Sequence, residues 1–474
     1  MKKKSTREEI IHESKKFVES NKGLKLDMNA KVKQYISPRI SSEYMDCSMP
    51  MTFDSYSHCS LGCLYCFAYF FKSNNTSFNE NLHVSAMEKM IPAIEGKPKS
   101  YREKIFHRHF YSKKFLLHWG GMADPFCNFE RSNRRAFNFL EALGANNYPT
   151  LFSFKGATIF HPRYRRLFEK YSSQQNFAFQ VSIVTGDDKL SREVEIGVPS
   201  PTRRLEAIKM LSEMGYYTIL RLRPFIIGVT DRSLDELLGK ALEAGIKGVS
   251  MEFFAVDVRC SSGMRTRYKW LAQVMGVKDL LSYFKDLSPS ERGGYMRLNR
   301  LVKEIYVRKV FEFCMTHGLT FGVSDPDFKE LNSSGSCCGM PDDFPDNRLL
   351  ENWTRGQLTY ALKEARRKYH LENKDQYLRF NDVFHKEDTY LDDIELTNDH
   401  VACAELTAAE RKSYTYRSLA QKTWNNLRSP GNPRNYFHGK ILPVGIDQDG
   451  NLEFKYVEHD YEKRWAKDGL DLSY

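Results

Sequence analysis

A chain of 474 residues can bury a large core, and its composition, 41% hydrophobic and 28% charged, excludes a disordered protein. No apolar run approaches the roughly 20 residues of a membrane helix, and the Lys-rich N-terminus lacks the apolar segment of a secretory signal. Ten cysteines without a regular framework favour a reducing compartment. We therefore expect a cytoplasmic protein that does not contact a membrane.

The net charge of +11 is unevenly distributed along the chain. Residues 351–474 contain 19 Lys and Arg and 21 Asp and Glu, so residues 1–350 carry +13. Two stretches, 97–115 and 411–424, interleave basic side chains with aromatic ones. Cations neutralise phosphates and aromatic rings stack on bases, so these stretches make nucleic acid the leading candidate for a partner. The alternative for each stretch is a solvated helix face.

The predicted elements divide the chain into three parts. Residues 1–50 form a lead-in, with a charged helix over 5–22 and extended chain over 30–50. Strand and helix patterns then alternate, with strands over 51–54, 115–119, 150–154, 177–184, 217–222 and 248–256, and helices over 133–143, 163–171, 202–214 and 233–244. This alternation predicts a parallel sheet and an α/β fold, a partial, roughly six-stranded (β/α) barrel over 51–325. A helix over 294–317 and a strand over 319–323 complete this part.

Residues 326–474 predict an α+β C-terminal extension. Its features are a Gly/Ser-rich loop with Cys337 and Cys338, a helical charged segment, and a hairpin of 439–444 with 452–456 around Asp449-Gly450.

The most specific motif is a C-x3-C-x2-C triplet formed by Cys59, Cys63 and Cys66. Three thiolates on one loop bind a soft metal site, and a [4Fe–4S] cube held by three cysteines keeps one iron open to a small molecule. Zinc would need a fourth ligand, and the nearby His58 is adjacent to Cys59 and poorly placed for a shared tetrahedron. The spacing therefore favours an iron–sulfur cluster.

With Tyr65 before its last cysteine, the triplet resembles the radical S-adenosylmethionine (SAM) superfamily. Further segments resemble its spore photoproduct lyase-like branch (DNA repair photolyase-like): 35–39, 123–126, 154–155, 199–205 and 223–231. The resemblance covers about residues 35–256, and the partial barrel is also the fold that it implies.

The resemblance implies a set of cofactor contacts at the ends of the predicted strands. SAM binds the open iron, Gly120 and Gly121 approach its methionyl amine, and Asp124 accepts a bond from that ammonium. Lys155 pairs with the SAM carboxylate, Ser182 bonds the carboxylate or the ribose, and Arg221 or Arg223 assists. Asp-Pro is also an ordinary turn, and lone Lys and Ser residues are often solvated or structural.

The resemblance further implies reductive cleavage of SAM to a 5′-deoxyadenosyl radical, with a reductase such as flavodoxin or ferredoxin as electron donor. The radical would repair or modify a nucleic-acid base in DNA or RNA. Two alternatives stay open: a radical SAM enzyme acting on a peptide or small metabolite, and a non-catalytic, metal-stabilised nucleic-acid-binding protein.

The chain departs from the branch at its hydrogen donor. The branch's repair enzyme carries a cysteine just upstream of its Ser-Asp pair, whereas residues 119–124 contain none and Cys127 lies three residues beyond Asp124. Cys127, Cys337 and Cys338 are therefore the candidate thiol hydrogen donors. Cys260, Cys314 and Cys337 or Cys338 are candidates for a second iron–sulfur cluster, and the alternative is that they are buried free thiols.

Overall fold

A computed structural model describes residues 25–26, 38–40, 46–49, 51–68, 81–82, 84–259, 262–287, 290–292, 294–344, 358–372, 377–385, 415–470 and 472. The predicted helix over 5–22, most of the lead-in, Cys260 and the Arg411–Tyr414 part of the second basic stretch lie outside these residues.

Seven strands run parallel in one sheet and are neighbours in the order of the chain. They are β1 (Met51–Phe53), β2 (Leu117–Trp119), β3 (Thr150–Phe154), β4 (Phe177–Ser182), β5 (Tyr217–Phe225), β6 (Gly248–Phe253) and β7 (Thr320–Val323). The predicted parallel α/β sheet is confirmed, and β7 pairs with β6 as one strand more than the six counted. An eighth strand, Arg39–Ile40, pairs antiparallel with β1.

Helices connect and flank these strands. Those before residue 260 are Met87–Ile94, Tyr101–Phe106 (continued by a π-helix, His107–Tyr111), Asn128–Asn133, Phe137–Ala145, Pro162–Tyr171, Asp188–Val194, Pro201–Glu213 and Leu234–Glu243. Those after it are Ser262–Met275, Leu280–Asp286, Arg300–Thr316, Leu358–Glu372, Phe380–Val383, Tyr416–Asn425, Pro433–Tyr436 and Asp460–Lys467. Short 3-10 turns are Ala157–Phe160, Ser172–Gln174, Asp231–Ser233 and Lys329–Leu331.

Three small sheets complete the described secondary structure. Val256–Asp257, Ser290–Arg292 and Tyr295–Arg297 form one, and Lys25–Leu26 pairs with Asn81–Leu82. Tyr377–Leu378, Ile441–Ile446 and Leu452–Tyr456 form the third, which contains the predicted hairpin.

Two predicted helices have different bounds in the structure. The helix predicted over 133–143 is Phe137–Ala145, because Arg134 adopts a left-handed conformation (φ 52°) that ends the preceding helix, Asn128–Asn133. The long helix begins at Arg300 rather than at residue 294, since Tyr295–Arg297 is extended and pairs with Val256–Asp257.

The register of the parallel strands separates an apolar face from a polar face. Trp119, Phe152 and Phe179 share the first, where Phe152 and Phe179 stack at 5.2 Å and Phe168 of helix Pro162–Tyr171 covers them. The opposite face, called the polar face below, carries His118, Ser153, Gln180, Ser182, Arg221 and Ser250. The helices therefore cover one face of the sheet, and the other is available for chemistry.

At the amino ends of the strands the polar face becomes apolar. Leu151, Ala178 and Ile219 form a separate buried cluster there with Cys338 and Met340. The segment that follows β7 thus folds back over the sheet and closes this end.

The aromatic side chains of the two basic stretches are mostly structural, so the prediction that they stack on bases is wrong for those that are buried. Phe106, Phe110 and Tyr111 are buried in the main core, whereas Tyr101 is 74% exposed. Trp424 is fully buried, and its indole N–H donates to the Leu452 carbonyl (2.7 Å). The periodic aromatic residues are there because these helices need an apolar side to pack.

Within the described part of the chain, none of the helices combines the length and apolar character that crossing a bilayer requires.

Candidate functional site

The cysteine triplet lies on the loop that follows β1, at the carboxyl edge of the sheet. Two backbone contacts hold this loop: Leu64 N–H donates to Val194 O (3.0 Å), and Arg267 donates to Cys63 O (3.0 Å). The Leu64 side chain packs on Trp270 of helix Ser262–Met275. The loop is thus fixed by helices that come more than 120 residues later in the chain.

All three thiols of the triplet are free, with Cys63 buried and Cys59 and Cys66 half-buried. Burial raises the pKa of Cys63 to about 12; Lys155 opposes this shift, and Glu195, Cys66 and Cys59 add to it. The neighbouring Cys127 thiol, together with burial, raises the pKa of Cys59.

No three His, Cys, Asp or Glu side chains among the described residues converge on a metal-binding point. The donor set, three free thiols on one loop with a cation nearby, nevertheless fits a [4Fe–4S] cluster by its chemistry.

Tyr65, inside the triplet, belongs to a buried ionic network. Its hydroxyl donates to Glu195 and accepts from Lys155, whose ammonium also contacts Glu195 (2.7 Å). Arg204 completes the network at 2.5 Å from the other oxygen of Glu195. Burial alone would raise the pKa of Glu195, but Arg204 and Lys155 lower it to about 2, so Glu195 is an anion. The predicted SAM-carboxylate cation, Lys155, therefore already has an anionic partner.

Asp124 has a positioning role in the described structure. Its carboxylate accepts backbone N–H bonds from Phe126 (2.8 Å), Gly156 (3.0 Å) and Lys155. Burial raises the pKa of Asp124 to about 6 against these three donors. The carboxylate joins the Ala123–Phe126 turn to the end of β3.

Gly120 and Gly121 form a close approach between neighbouring strands. Gly120 has φ +105°, and a Cβ there would collide with Ser153 O, while a Cβ on Gly121 would lie 2.9 Å from Thr52 Oγ1. Asp54 fixes the turn by accepting from the N–H groups of Met122 and Ala123, both at 2.8 Å. The local backbone therefore requires glycine at position 120, whereas an added Cβ at position 121 would meet only the Thr52 side chain.

Ser182, Arg221 and Arg223 lie together on the polar face. Ser182 is paired in register with Arg221, which donates to its hydroxyl at 3.4 Å. The buried Nε atoms of Arg221 and Arg223 have no hydrogen-bond partner among the described residues. Burial and the charge of Arg223 lower the pKa of Arg221 to about 10. Two buried guanidinium groups with unused donors are suited to bind an anion or an acceptor-rich ligand.

Cys337 and Cys338 lie against the polar face, where Arg223 donates to the Cys337 carbonyl and lies 3.8 Å from the Cys338 sulfur. Gln180 and Ser250 donate to the carbonyls of Cys338 (2.6 Å) and Cys337 (3.2 Å). A hydrogen bond from Cys338 lowers the pKa of Cys337; burial opposes this shift, and Arg223 favours it.

The predicted thiols are not all brought together. Cys314 packs in the main core, apart from the cluster that contains Cys337 and Cys338, and Cys260 lies outside the described residues. The grouping of Cys260, Cys314 and Cys337 or Cys338 in a second iron–sulfur cluster stays a prediction, because Cys260 lies outside the described residues. Cys127 lies instead beside the triplet, in contact with Cys59.

Sequence reasoning missed Glu195, Arg204 and Glu252. Glu252 is 52% exposed, yet burial raises its pKa; Arg223 opposes this shift, and Asp325 and Cys337 add to it. Glu252 follows Ser250 by two residues on β6, so its side chain lies on the polar face. Its position could have indicated Glu252 as a site residue. It lies near the carboxyl end of β6, on a strand whose residues alternate between the two faces.

No family model matches the chain. Three proteins described as uncharacterised, one from Mycobacterium bovis and two from strains of Mycobacterium tuberculosis, are each 27% identical to it over 253 residues, covering 52% of this chain and 68% of the relative.

The chain is also similar to several solved structures. A spore photoproduct lyase mutant with bound AdoMet and dinucleoside spore photoproduct has 13% identity and a TM-score of 0.44, covering 62% of this chain and 80% of that one. A second spore photoproduct lyase mutant has 14% identity and a TM-score of 0.47, with coverage of 66% and 84%. Streptococcus suis SuiB bound to S-adenosylmethionine has 16% identity and a TM-score of 0.34, with coverage of 58% and 49%. At these values the likeness carries no conclusion about what this chain does.

Proposed function

We propose that this chain is a radical SAM enzyme that acts on a nucleic-acid base. The observation that carries the proposal is the C-x3-C-x2-C loop with Tyr65, placed at the carboxyl edge of a parallel sheet and in contact with Lys155. Cys59, Cys63 and Cys66 would hold a [4Fe–4S] cluster. When bound, this cluster and SAM supply a 5′-deoxyadenosyl radical.

The residues around the loop would bind and orient SAM. Arg221 and Ser182 are the better carboxylate contacts, because Lys155 is committed to Glu195 and Arg221 has an unused donor. Lys155 would then hold Tyr65 in place, since its ammonium donates to the Tyr65 hydroxyl and lies 4.7 Å from the ring centroid. The turn of Gly120 and Gly121, held by Asp54 and Asp124, would lie beside the methionyl amine.

The proposed partner is single-stranded or locally opened nucleic acid, with an electron donor of the flavodoxin or ferredoxin type. The support is the +13 carried by residues 1–350 and the exposed Tyr101 beside the basic side chains of the first stretch. Because the other aromatic residues of that stretch are buried, it would contribute to nucleic-acid binding mainly through charge rather than through base stacking.

Thiol hydrogen donation would come from Cys337 or Cys338 rather than from Cys127. Cys127 contacts Cys59, a proposed cluster ligand, whereas Cys337 and Cys338 lie on the polar face beside Arg223.

Anaerobic reconstitution with iron and sulfide counting tests the proposal, followed by addition of dithionite and SAM and an assay for 5′-deoxyadenosine. We expect about four irons per chain and release of 5′-deoxyadenosine. Cys59→Ala, Cys63→Ala and Cys66→Ala should each lose most of the iron and the product, and the matched control Cys47→Ser should keep both.

Two results would contradict the proposal in different ways. Zinc on purification, without iron or 5′-deoxyadenosine, would favour the metal-stabilised binding protein. Release of 5′-deoxyadenosine without salt-dependent binding of oligonucleotides would favour a peptide or small metabolite as the substrate.

A further inference from the structure

Glu252 is an exception within its strand. Every other residue of β6 is buried, whereas the Glu252 side chain is 52% exposed. The strand alternates faces, so Glu252 shares the polar face with Ser250, which donates to the Cys337 carbonyl. A carboxylate is thus presented to the space over the sheet rather than to a neighbouring element.

Arg223 faces Glu252 from the adjacent strand β5. Its Nη1 atom lies 3.9 Å from Glu252 Oε2, which is too long for a direct hydrogen bond. The guanidinium is only 10% exposed and is anchored because Nη2 donates to the Cys337 carbonyl. Its buried Nε has no partner among the described residues. Nη1 also donates to the Cys338 sulfur (3.8 Å), which leaves it a second N–H. The pair therefore places an anchored donor beside an acceptor.

This pair lies beside residues that are proposed to bind SAM. Arg221, two residues before Arg223 on the same strand, donates to the hydroxyl of Ser182 (3.4 Å), its partner in the sheet register. A ligand held between Arg223 and Glu252 would therefore lie within reach of the site where SAM is proposed to bind.

The chemistry of the pair selects the kind of ligand. A phosphate would pair with Arg223 alone and would be repelled by Glu252, since like charges disfavour each other. A neutral heterocycle with a donor next to an acceptor satisfies both side chains, and the edges of nucleobases have this pattern.

We propose that Arg223 and Glu252 together bind the donor–acceptor edge of a nucleobase, and that Glu252 selects bases whose edge carries a ring or amino N–H. The inference rests on the proposed function and names the residues that read its substrate.

Equilibrium binding of two fluorescent hexanucleotides tests it, one of thymidine and one of N3-methylthymidine, whose ring N–H is replaced by a methyl group. The reconstituted full-length protein should bind the thymidine hexamer about tenfold more tightly, since one good base-edge pair contributes 1–3 kcal/mol of discrimination. Glu252→Ala should bind both hexamers equally. Because Glu252 is half-exposed, its truncation leaves the core intact, and the matched control Glu213→Ala, at an exposed helix end, should keep the discrimination.

Two other outcomes would contradict different parts of the proposal. Full discrimination in Glu252→Ala would overturn the role of Glu252 while leaving the nucleic-acid substrate in place. Failure of the wild-type protein to bind either hexamer, with 5′-deoxyadenosine still released, would overturn the nucleic-acid part of the proposed function and this inference with it.

Discussion

Glu195 accepts a hydrogen bond from Tyr65, which lies 130 residues earlier in the chain, inside the cysteine triplet. The same carboxylate contacts Lys155 from the end of β3 and Arg204 from helix Pro201–Glu213. One buried anion thus ties the cysteine loop to the end of β3 and to helix Pro201–Glu213. Loss of that anion leaves two cations without their charge partner in a site from which water is largely excluded.

The first prediction concerns stability. Glu195→Ala should lower the free energy of unfolding by about 3–5 kcal/mol, the range for breaking a buried ion pair by removing one partner. Urea unfolding followed by circular dichroism measures the change. Glu169→Ala, which removes an exposed i,i+4 partner of Arg165, is the control and should change stability by less than about 1 kcal/mol. An equal loss in both variants would contradict the account.

The second prediction concerns how the stability of the fold depends on pH. The pKa of Glu195 is lowered in the folded state to about 2 from an ordinary value of 4.5, so its stabilisation is fully present above pH 4.5. This contribution disappears as the pH falls from about 4.5 toward about 2, where the folded protein also takes up the proton. The stability difference between wild type and Glu195→Gln, measured by denaturant unfolding from pH 7 to pH 3, should therefore shrink toward low pH. A constant difference would show that Glu195 titrates normally.

Much of the sheet was predictable because buried parallel strands have a strong local signature. The strands at Thr150–Phe154 and Phe177–Ser182 are rich in apolar and aromatic residues and bounded by helices, and every residue in them is buried, as in parallel strands covered on both faces. The helix bounds were harder to predict. The left-handed Arg134 interrupts an otherwise helical pattern, and no Gly or Pro marks the position.

The site was predictable only where residues are adjacent in sequence or lie at strand ends. The spacing of the three cysteines is enough to identify the triplet. No local pattern marks Glu195 or Glu252, since the first acts through contacts with Tyr65 and Arg204, and the second through Arg223 on another strand. The interpretation of the basic stretches as base-stacking surfaces failed for the same reason. Phe106 and Phe110 have the spacing of a helix side that packs on the core.

The third prediction separates packing from binding in the first basic stretch. Phe106→Ala should destabilise the fold by about 3–5 kcal/mol, because the ring is 1% exposed and its removal leaves a cavity. Tyr101→Ala should change stability by less than about 0.5 kcal/mol, because that ring is 74% exposed. Thermal unfolding measures both. Weaker oligonucleotide binding by Tyr101→Ala at unchanged stability would show that this ring contacts nucleic acid.

The fourth prediction concerns the packing of the loop that carries Cys337 against β7. Gly322 on β7 lies directly under this loop, and a Cβ there would lie 2.5 Å from Gly339 N and 2.8 Å from Cys337 O. Since both contacts are backbone atoms, neither can move aside alone, and Gly322→Ala should displace the loop at a cost of roughly 1–3 kcal/mol. The displaced Cys337 should then react faster with iodoacetamide than the wild-type thiol does, as measured by mass spectrometry of the peptide that carries it.

Gly239→Ala is the matched control, because Gly239 lies in helix Leu234–Glu243 with nothing within 4 Å of an added Cβ. Alanine is favoured over glycine in a helix by roughly 1 kcal/mol, so this variant should be as stable as wild type or more so. Its Cys337 should react at the wild-type rate. Faster labelling in both variants would mean that the loop is loosened by a general loss of stability, whereas faster labelling in Gly322→Ala alone assigns the effect to the contact between β7 and the backbone of Cys337 and Gly339.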